Sequence, residues 1–203
     1  MAPPPLLGDA EGKYRIHIVG NSGTGKSTIG ERLANLLGVP FIPLDTLFWK
    51  PGWEQSTTEE LQANVAAALA NAPNGWVVDG NFSNRVGPML EAVSTDVIWL
   101  DPPLALYLPR LIWRTVLRLL RLAPPCQSGC NERLTEVLFS KDSIIWWCLS
   151  RHWILRRREG ERMQKIGVNV GTDVDGRRMR RLGGWGGELR RWFADVEKMV
   201  RSK

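Results

Sequence analysis

The chain has 203 residues, of which 43% are hydrophobic and 24% charged, and this composition suits a globular protein that buries a core of its own. Its net charge of +6 is uneven, because residues 1–100 hold 6 Lys/Arg against 10 Asp/Glu, while residues 101–203 hold 21 against 11. The basic half is expected to meet anions, such as nucleotide phosphates, nucleic acid or a membrane surface. No apolar run reaches the roughly 18 residues of a membrane span.

Short apolar runs alternate with helical patterns along residues 14–101. Residues 1–13 lack a basic leader and a long apolar run, so they are predicted to form a flexible tail before a single domain over residues 14–203. The apolar runs do not alternate with polar residues, which is typical of strands buried on both faces of a parallel sheet. Strands are predicted at Tyr14–Val19, Val39–Asp45, Trp76–Asp79 and Asp96–Asp101, and helices at Lys26–Leu37 and Thr57–Ala70.

The second half of the chain is predicted to be mostly helical. A helix over Leu104–Leu122 ends in a stretch with proline and glycine, LAPPCQSGCNE, and helical periodicity returns over Arg133–Arg158. A fifth strand is predicted at Arg177–Leu182, with Met163–Val168 as the competing choice, and a last helix at Glu188–Val200. Strands that alternate with helices predict a three-layer α/β/α fold, with a five-stranded parallel sheet and right-handed crossovers.

Three cysteines, Cys126, Cys130 and Cys148, do not make a disulfide framework. Cys126 and Cys130 lie four residues apart, a spacing that a zinc site uses, but no second pair and no nearby histidine completes such a site. Reduced thiols in a cytoplasmic protein are the favoured interpretation.

The clearest motif is GNSGTGKST, which follows a predicted strand and opens a predicted helix. It fits the phosphate-binding pattern G-x-x-x-x-G-K-[ST], in which backbone N–H groups and a helix N-terminus surround a phosphate. Lys26 is expected to reach the β- and γ-phosphates and Ser27 to ligate Mg²⁺, so ATP and Mg²⁺ are the predicted cofactors. The predicted nucleotide-binding residues of this loop are Gly20, Asn21, Ser22, Gly23, Thr24, Gly25, Lys26, Ser27 and Thr28.

Two aspartates end predicted strands beside this loop. Magnesium sites in such proteins use a carboxylate at the end of a neighbouring strand, and both Asp79 and Asp101 close an apolar run. Asp79 opens the segment DGNFSN and is the favoured candidate for holding metal-bound water, with a strand-end cap as the structural alternative. Asp101 opens DPP, where capping of the following helix is the stronger interpretation.

Arginines recur with helical spacing after Asp101. Arg110, Arg114 and Arg118 are four residues apart, with Arg121 three further on, so they share one helix face. Guanidinium groups match phosphate oxygens and can neutralise charge during phosphoryl transfer. A solvated basic face is the alternative interpretation.

The loop TLFWKPGW, residues 46–53, is the candidate acceptor site. Its aromatic residues are expected to stack on a base or sugar ring, with Lys50 or Arg85 meeting a phosphate and Asp45 orienting or deprotonating a hydroxyl. Packing of the aromatics in the core is the alternative. His17 and His152 have no visible partner and receive no role. The predicted acceptor-binding residues are Asp45, Phe48, Trp49, Lys50, Trp53 and Arg85.

Four stretches carry a family resemblance: GNSGTGKST, LDTLFWKPGW, VVDGN, and the run from IWLD into LPRLIWR. Through them the chain resembles the adenylate-kinase-like P-loop kinases over roughly residues 14–158, and most closely the subgroup called DNA topology modulation proteins. In that family an aspartate ending the fourth strand is followed nine and thirteen residues later by two ATP-binding arginines, which Arg110 and Arg114 match relative to Asp101. The resemblance also makes Asp79 an organiser of Mg²⁺-bound water and Asp45 an acceptor-binding residue.

The chain departs from the family at two places. Ala123 stands about where the subgroup's lid carries an arginine, so Arg121 or Arg133 is expected to take over that role, or lid catalysis is weakened. Lys50 stands in the region where adenylate kinases have an arginine for the phosphate of AMP, which weighs against AMP as the acceptor.

The sequence therefore predicts an ATP-dependent small-molecule kinase that transfers the γ-phosphate in line to a nucleoside monophosphate or similar acceptor. Lys26, Asp79, Arg114 and Asp45 are the predicted catalytic residues, and a helical lid at about residues 118–160 is expected to exclude water. One alternative is a nucleic-acid-binding ATPase or polynucleotide kinase that uses the arginine clusters at residues 156–158, 177–181 and 190–191. Another is a scaffold that binds nucleotide without turnover.

Overall fold

The computed structural model describes residues 3–120, 122–123 and 144–202. In chain order the described elements are β1 (Tyr14–Gly20), α1 (Lys26–Leu37), β2 (Phe41–Pro43), α2 (Leu44–Phe48), β3 (Trp49–Lys50), a 3-10 turn (Pro51–Trp53), β4 (Glu54–Gln55), α3 (Thr58–Ala70), β5 (Gly75–Asp79), α4 (Gly87–Val93), β6 (Asp96–Asp101), α5 (Leu104–Leu119), α6 (Ile144–Ile166), β7 (Met179–Gly183) and α7 (Gly187–Arg201).

Five strands form the predicted parallel sheet, in the order β2-β5-β1-β6-β7. The register places Ile18 beside Asp79 on one side of β1 and Gly20 beside Leu100 on the other. Because all five strands are parallel, the carboxyl ends of β1, β5 and β6 meet at one edge of the sheet. This edge carries the phosphate-binding motif, Asp79 and Asp101. The α/β fold that the sequence predicts is confirmed.

Two faces of the sheet are covered by different helices. Ile16 and Ile18 of β1 lie in a buried cluster that includes Leu33 of α1 and Phe193 and Val196 of α7. On the opposite face, side chains of β2 and β5 pack with α2, α3 and α4, while those of β1, β6 and β7 pack with α6. Burial on both faces explains why the strand sequences lack polar alternation.

Several element boundaries differ from the predicted ones. The second strand is only Phe41–Pro43, and the chain turns into α2 at the fully buried Leu44. The fifth strand is Met179–Gly183, since residues up to Ile166 continue α6. Part of the predicted lid, residues 124–143, lies outside the described residues, and so do Arg121, Arg133, Cys126 and Cys130.

The segment before β1 is packed onto the domain. Leu6 is only 1% exposed, and the backbone N–H groups of Leu7 and Gly8 donate to the buried carboxylate of Asp96 at 2.8 and 3.1 Å. The indole N–H of Trp192 donates to the carbonyl of Pro5 at 2.9 Å. These contacts differ from the flexible tail expected for residues 1–13, because nothing near this segment in the sequence points to Asp96 as its partner.

None of the described helices combines the length and the apolar character needed to cross a membrane.

Candidate functional site

The phosphate-binding loop connects β1 directly to α1. Gly20 ends β1 with φ 151°, and a Cβ placed there would lie 2.6 Å from the carbonyl oxygen of Leu100. Gly25 has φ 94° and precedes the first turn of α1. Glycine is required at both positions, since one is sterically closed and the other lies in the left-handed region. The loop therefore delivers the chain to a helix N-terminus, which favours a bound anion.

Lys26, Ser27 and Asp79 meet at the mouth of this loop. The Ser27 hydroxyl donates to Asp79 Oδ2 at 2.7 Å, and Lys26 Nζ donates to the Asn21 carbonyl at 3.1 Å. Burial raises the pKa of Asp79; the charge of Lys26 and the Ser27 hydrogen bond oppose this rise, and the charge of Asp45 adds to it. A hydroxyl and a buried carboxylate in contact form an oxygen donor set that suits Mg²⁺.

Asn21 links the loop to two helices. Its Nδ2 donates to the Tyr107 hydroxyl at 2.9 Å and to the Cys148 carbonyl at 2.8 Å, and its Oδ1 accepts from the Ser22 N–H at 2.8 Å. The Tyr107 hydroxyl lies 2.6 Å from His152 Nδ1. Burial raises the pKa of Tyr107 to about 12 and lowers the pKa of His152. This buried network pins α5 and α6 to the loop.

Asn81 makes a second link, from the segment after β5. Its Oδ1 accepts from the Gly20 N–H at 3.0 Å, and its Nδ2 donates to the Gly20 carbonyl. The side chain thus continues the sheet-like pairing at the point where β1 turns into the loop. Neither Asn81 nor His152 was assigned a role from the sequence; the VVDGN stretch was the one signal that pointed to Asn81.

The two arginines matched by the family resemblance lie in different surroundings. Arg114 Nη2 lies 3.5 Å from the Ser22 hydroxyl, so this side chain reaches the phosphate-binding loop. Arg110 is exposed on α5, four residues earlier. The described residues thus bring Arg114, but not Arg110, into contact with the loop.

The carboxylate of Asp101 forms ion pairs with arginines and does not cap a helix. The N-cap position of α5 is Pro103, without a side-chain cap. The carboxylate of Asp101 accepts from Arg181 at 2.6 and 2.9 Å and pairs with Arg156 Nε at 3.1 Å. The helix-capping interpretation is therefore wrong, and Asp101 instead ties α6 and β7 to the end of β6.

The candidate acceptor loop forms a short hairpin of β3 and β4 beside α2. Phe48 is buried at 5% exposure and packs against Trp49, Phe82 and the guanidinium of Arg85. This supports the core-packing alternative for Phe48. Trp49 and Trp53 are half-buried and in edge contact, with ring centroids 5.3 Å apart.

The two cations proposed to meet an acceptor phosphate have partners within the chain. Lys50 Nζ donates to both carboxylate oxygens of Glu60, at 2.8 and 3.0 Å, and this contact raises the pKa of Lys50. Arg85 Nη1 donates to the Ser56 carbonyl at 2.9 Å. Both side chains thereby fasten the hairpin to its surroundings. Asp45 is exposed, and its charge acts on Asp79, so it lies at the same edge as the phosphate-binding loop.

Arginines of the basic clusters take part in ion pairs as well. Arg158 contacts the fully buried Glu159 at 2.8 Å, and Arg156 and Arg181 share Asp101. These pairs cancel part of the positive charge that a nucleic-acid surface would use. Within the described residues, no group of three or more His, Cys, Asp or Glu side chains is placed to hold a metal ion by itself.

Two comparisons match part of this chain to shikimate kinases. A family model described as shikimate kinase matches residues 22–64, which include Lys26, Ser27 and Asp45. A shikimate kinase from Sulfurihydrogenibium sp. (strain YO3AOP1) is 34% identical over 109 residues, 47% of this chain. The chain spans 65% of the length of that curated relative.

Solved structures match nearly the whole chain at low sequence identity. Shikimate kinase from Acinetobacter baumannii in complex with shikimate matches with a TM-score of 0.50 and 17% identity, over 94% of this chain and 95% of that one. A gluconokinase from Sinorhizobium meliloti 1021 matches with a TM-score of 0.49 and 16% identity, over 93% and 94% of the two chains. The chain shares its fold with that shikimate kinase structure; the resemblance to DNA topology modulation proteins stays a prediction.

Proposed function

We propose that this protein is an ATP-dependent kinase that transfers the γ-phosphoryl group to a hydroxyl of a small molecule. The observation that carries the proposal is the contact of Ser27 with Asp79, 2.7 Å apart beside Lys26 at the start of α1. A glycine-rich loop alone binds phosphate, but a buried carboxylate held against its serine adds the oxygen donors that a nucleotide-bound Mg²⁺ requires.

Each donor-side residue has a chemical role in this proposal. Residues 20–28 surround the phosphates of ATP with backbone N–H groups, and Lys26 neutralises the β- and γ-phosphates. Ser27 and Asp79 hold Mg²⁺ directly or through water, and the ion supplies charge neutralisation at the transferred group when it is bound. Arg114 reaches the same group from α5, and Arg110 contacts the rest of the nucleotide.

For the acceptor we propose a hydroxylated small molecule, with Asp45 binding or deprotonating the reacting hydroxyl. The predicted nucleoside monophosphate finds no support in the comparisons, whose family match is to shikimate kinase. In addition, the two cations predicted to bind the phosphate of such an acceptor have partners within the chain. Lys50 is hydrogen-bonded to Glu60, and Arg85 is hydrogen-bonded to the carbonyl of Ser56. Shikimate is therefore the first acceptor to test.

The surrounding architecture suits such a reaction. We propose one domain over residues 14–203, with the packed segment before β1 added to it, and a lid at about residues 118–160. Helix α5 leads into that lid region and α6 begins within it, and both helices are hydrogen-bonded to Asn21. Exclusion of water by a lid favours transfer to the acceptor over hydrolysis of ATP. A cytoplasmic location fits an enzyme that consumes ATP.

The test is ADP release, measured with ATP and Mg²⁺ against a panel of shikimate, other small alcohols, AMP and a single-stranded DNA with a free 5′-hydroxyl. We expect turnover with a small alcohol and a loss of about 100-fold or more in Asp79→Asn. Asp45→Asn should raise the KM for the acceptor and leave the KM for ATP unchanged.

Turnover confined to AMP would restore the nucleotide acceptor, and turnover confined to DNA would favour a polynucleotide kinase. Nucleotide binding without turnover on any acceptor would favour the scaffold.

A further inference from the structure

Large apolar side chains are exposed together on α5 and α6. Of the fourteen that are exposed in the described part of the chain, nine lie between residues 112 and 154. None of the predicted site residues is among them. Six of the nine define what is called the outer face below: Ile112, Trp113, Leu120, Trp146, Trp153 and Ile154.

Helix α5 turns an apolar stripe toward the solvent. A helix on the surface of a protein ordinarily exposes its polar residues. In α5 the exposed residues Ala105, Pro109, Ile112 and Val116 follow one another at spacings of four, three and four, so they lie on one side of the helix. Arg110 is the one exposed residue of α5 with a polar side chain. Exposed apolar stripes of this kind mark interaction surfaces.

The outer face is rich in tryptophan. Trp113 of α5 and Trp146 and Trp153 of α6 are 64%, 58% and 71% exposed. Tryptophan is highly buried on average in folded proteins, so three rings that keep most of their surface in water are not explained by core packing. The amphipathic indole ring, with an apolar body and one N–H donor, suits a boundary between an apolar and a wet environment.

The outer face is turned away from the phosphate-binding loop. Asn21 of the loop donates to the Tyr107 hydroxyl of α5 and to the Cys148 carbonyl of α6. Tyr107, Leu111 and Cys148 form a buried cluster between the two helices. The exposed residues lie on the other side of each helix. A partner on the outer face therefore leaves the nucleotide site open.

The charge around the outer face is positive. Residues 104–119 and 144–158 hold seven arginines and no Asp or Glu. Arg156 and Arg158 pair with carboxylates of β6 and α6, whereas Arg151 is exposed on the same helix as Trp146 and Trp153. An apolar face with a basic surround favours an anionic partner.

Three kinds of partner differ in how well they fit. In a symmetric dimer the outer face would meet its own copy, which brings arginines against arginines. Single-stranded nucleic acid stacks its bases on aromatic rings, but Ile112, Leu120 and Ile154 offer no ring. A membrane surface with anionic lipids suits the whole face, because tryptophan and aliphatic side chains enter the boundary between headgroups and acyl chains and arginines bind lipid phosphates.

We propose that the outer face binds the surface of a membrane that contains anionic lipids. Its six apolar side chains enter the headgroup boundary, and Arg151 contacts the lipid phosphates. The inference goes beyond the proposed kinase function and does not depend on it, because lipid binding requires neither ATP nor an acceptor.

The test is co-sedimentation of the full chain with vesicles of phosphatidylcholine alone and with about one quarter phosphatidylglycerol. We expect binding to the anionic vesicles to be stronger by about 10-fold or more and to weaken as salt is added. The double variant Trp113→Ala with Trp153→Ala should weaken this binding by about 10-fold or more, because it removes buried apolar area. Trp185→Ala is the matched control, since Trp185 is an exposed tryptophan in the loop between β7 and α7.

A second variant keeps the test usable if the double variant unfolds, which thermal unfolding shows. Arg151→Gln should weaken binding to the anionic vesicles several-fold and leave binding to phosphatidylcholine unchanged. Equal binding to both kinds of vesicle, or binding that neither variant weakens, overturns the proposal.

Absence of vesicle binding overturns the proposal as well. In that case, a dimer in analytical ultracentrifugation that the double variant abolishes would assign the outer face to a second copy of the chain. Binding of single-stranded DNA that the double variant abolishes would assign it to nucleic acid. Failure of ADP release with every acceptor would overturn the kinase function and leave the vesicle result as it stands, so the two proposals are judged separately.

Discussion

The donor and acceptor sides of the candidate site are held in different ways. Around the phosphate-binding loop, Asn21 and Asn81 make hydrogen bonds to α5, α6 and the loop backbone, and both helices are fixed by buried groups. The hairpin of residues 49–55 rests instead on aromatic contacts and on the exposed ion pair of Lys50 with Glu60. Short side chains in a buried network admit few substitutions, whereas long side chains on an exposed hairpin can change without unfolding the domain. This difference predicts that substitutions around the loop have larger effects than substitutions in the hairpin.

Removal of the charge on Lys26 should have the largest effect. We expect Lys26→Ala to lower kcat by about 1000-fold, because the transferred phosphoryl group loses its nearest cation. Lys198→Ala, on the exposed end of α7, should leave kcat unchanged. The measurement is ADP release at saturating ATP. A residual rate within 10-fold of that of the unmodified protein would contradict the comparison. It would mean that the donor side tolerates substitution as readily as the hairpin does.

Acid should lower the free energy of unfolding partly through His17, a buried residue of β1. The pKa of this residue is about 4 in the folded protein against 6.5 in the unfolded chain. A depressed histidine pKa contributes stability that is present above pH 6.5 and is lost as the pH falls toward 4, and a depression of this size is worth about 3 kcal/mol.

The check is urea unfolding between pH 7 and pH 4, for the unmodified chain and for His17→Gln. The free energy of unfolding should fall less steeply in the variant, because carboxylates and His152 titrate in both proteins and only the His17 contribution differs. Parallel pH profiles would show that His17 is not buried neutral.

A smaller effect is expected at the link between the loop and the helices. Tyr107→Phe removes the hydroxyl that accepts from Asn21 and is hydrogen-bonded to His152. The loss of buried hydrogen bonds should lower the free energy of unfolding by about 1–3 kcal/mol and raise the KM for ATP. Tyr14→Phe is the control, since the Tyr14 hydroxyl contacts the thioether of Met199 at 3.9 Å. An unchanged KM for ATP in Tyr107→Phe would show that this network does not contribute to nucleotide binding.

The smallest effect on the fold should come from the hairpin. Trp53→Ala removes one edge contact with Trp49 and should change the free energy of unfolding by no more than about 1 kcal/mol. If the hairpin lies over the acceptor, the variant should raise the acceptor KM several-fold and leave the KM for ATP unchanged. A rise in the KM for ATP alone would assign the hairpin to the donor side.

The features that could be predicted from the sequence are those that depend on local residue patterns. The phosphate-binding loop and Asp79 could be located because their chemistry requires glycines, lysine and a carboxylate at strand ends. The parallel sheet could be predicted because its strands lack polar alternation, but the order of the strands could not. The partners of His17, His152 and Asp101 could not be predicted, because they lie 63, 45 and up to 80 residues away. Contacts over such separations depend on the packing of complete helices, which residue periodicity does not specify.

The packing of the segment before β1 changes where a shortened protein can safely start. A chain cut at residue 14 would retain every strand and the whole phosphate-binding loop. It would nevertheless leave the buried carboxylate of Asp96 without the N–H groups of Leu7 and Gly8, and it would uncover the site of Leu6 between the sheet and α7. Burial already raises the pKa of Asp96, so the loss of these donors would favour its protonated form further. A protein engineer should therefore place an affinity tag or a truncation ahead of Pro4.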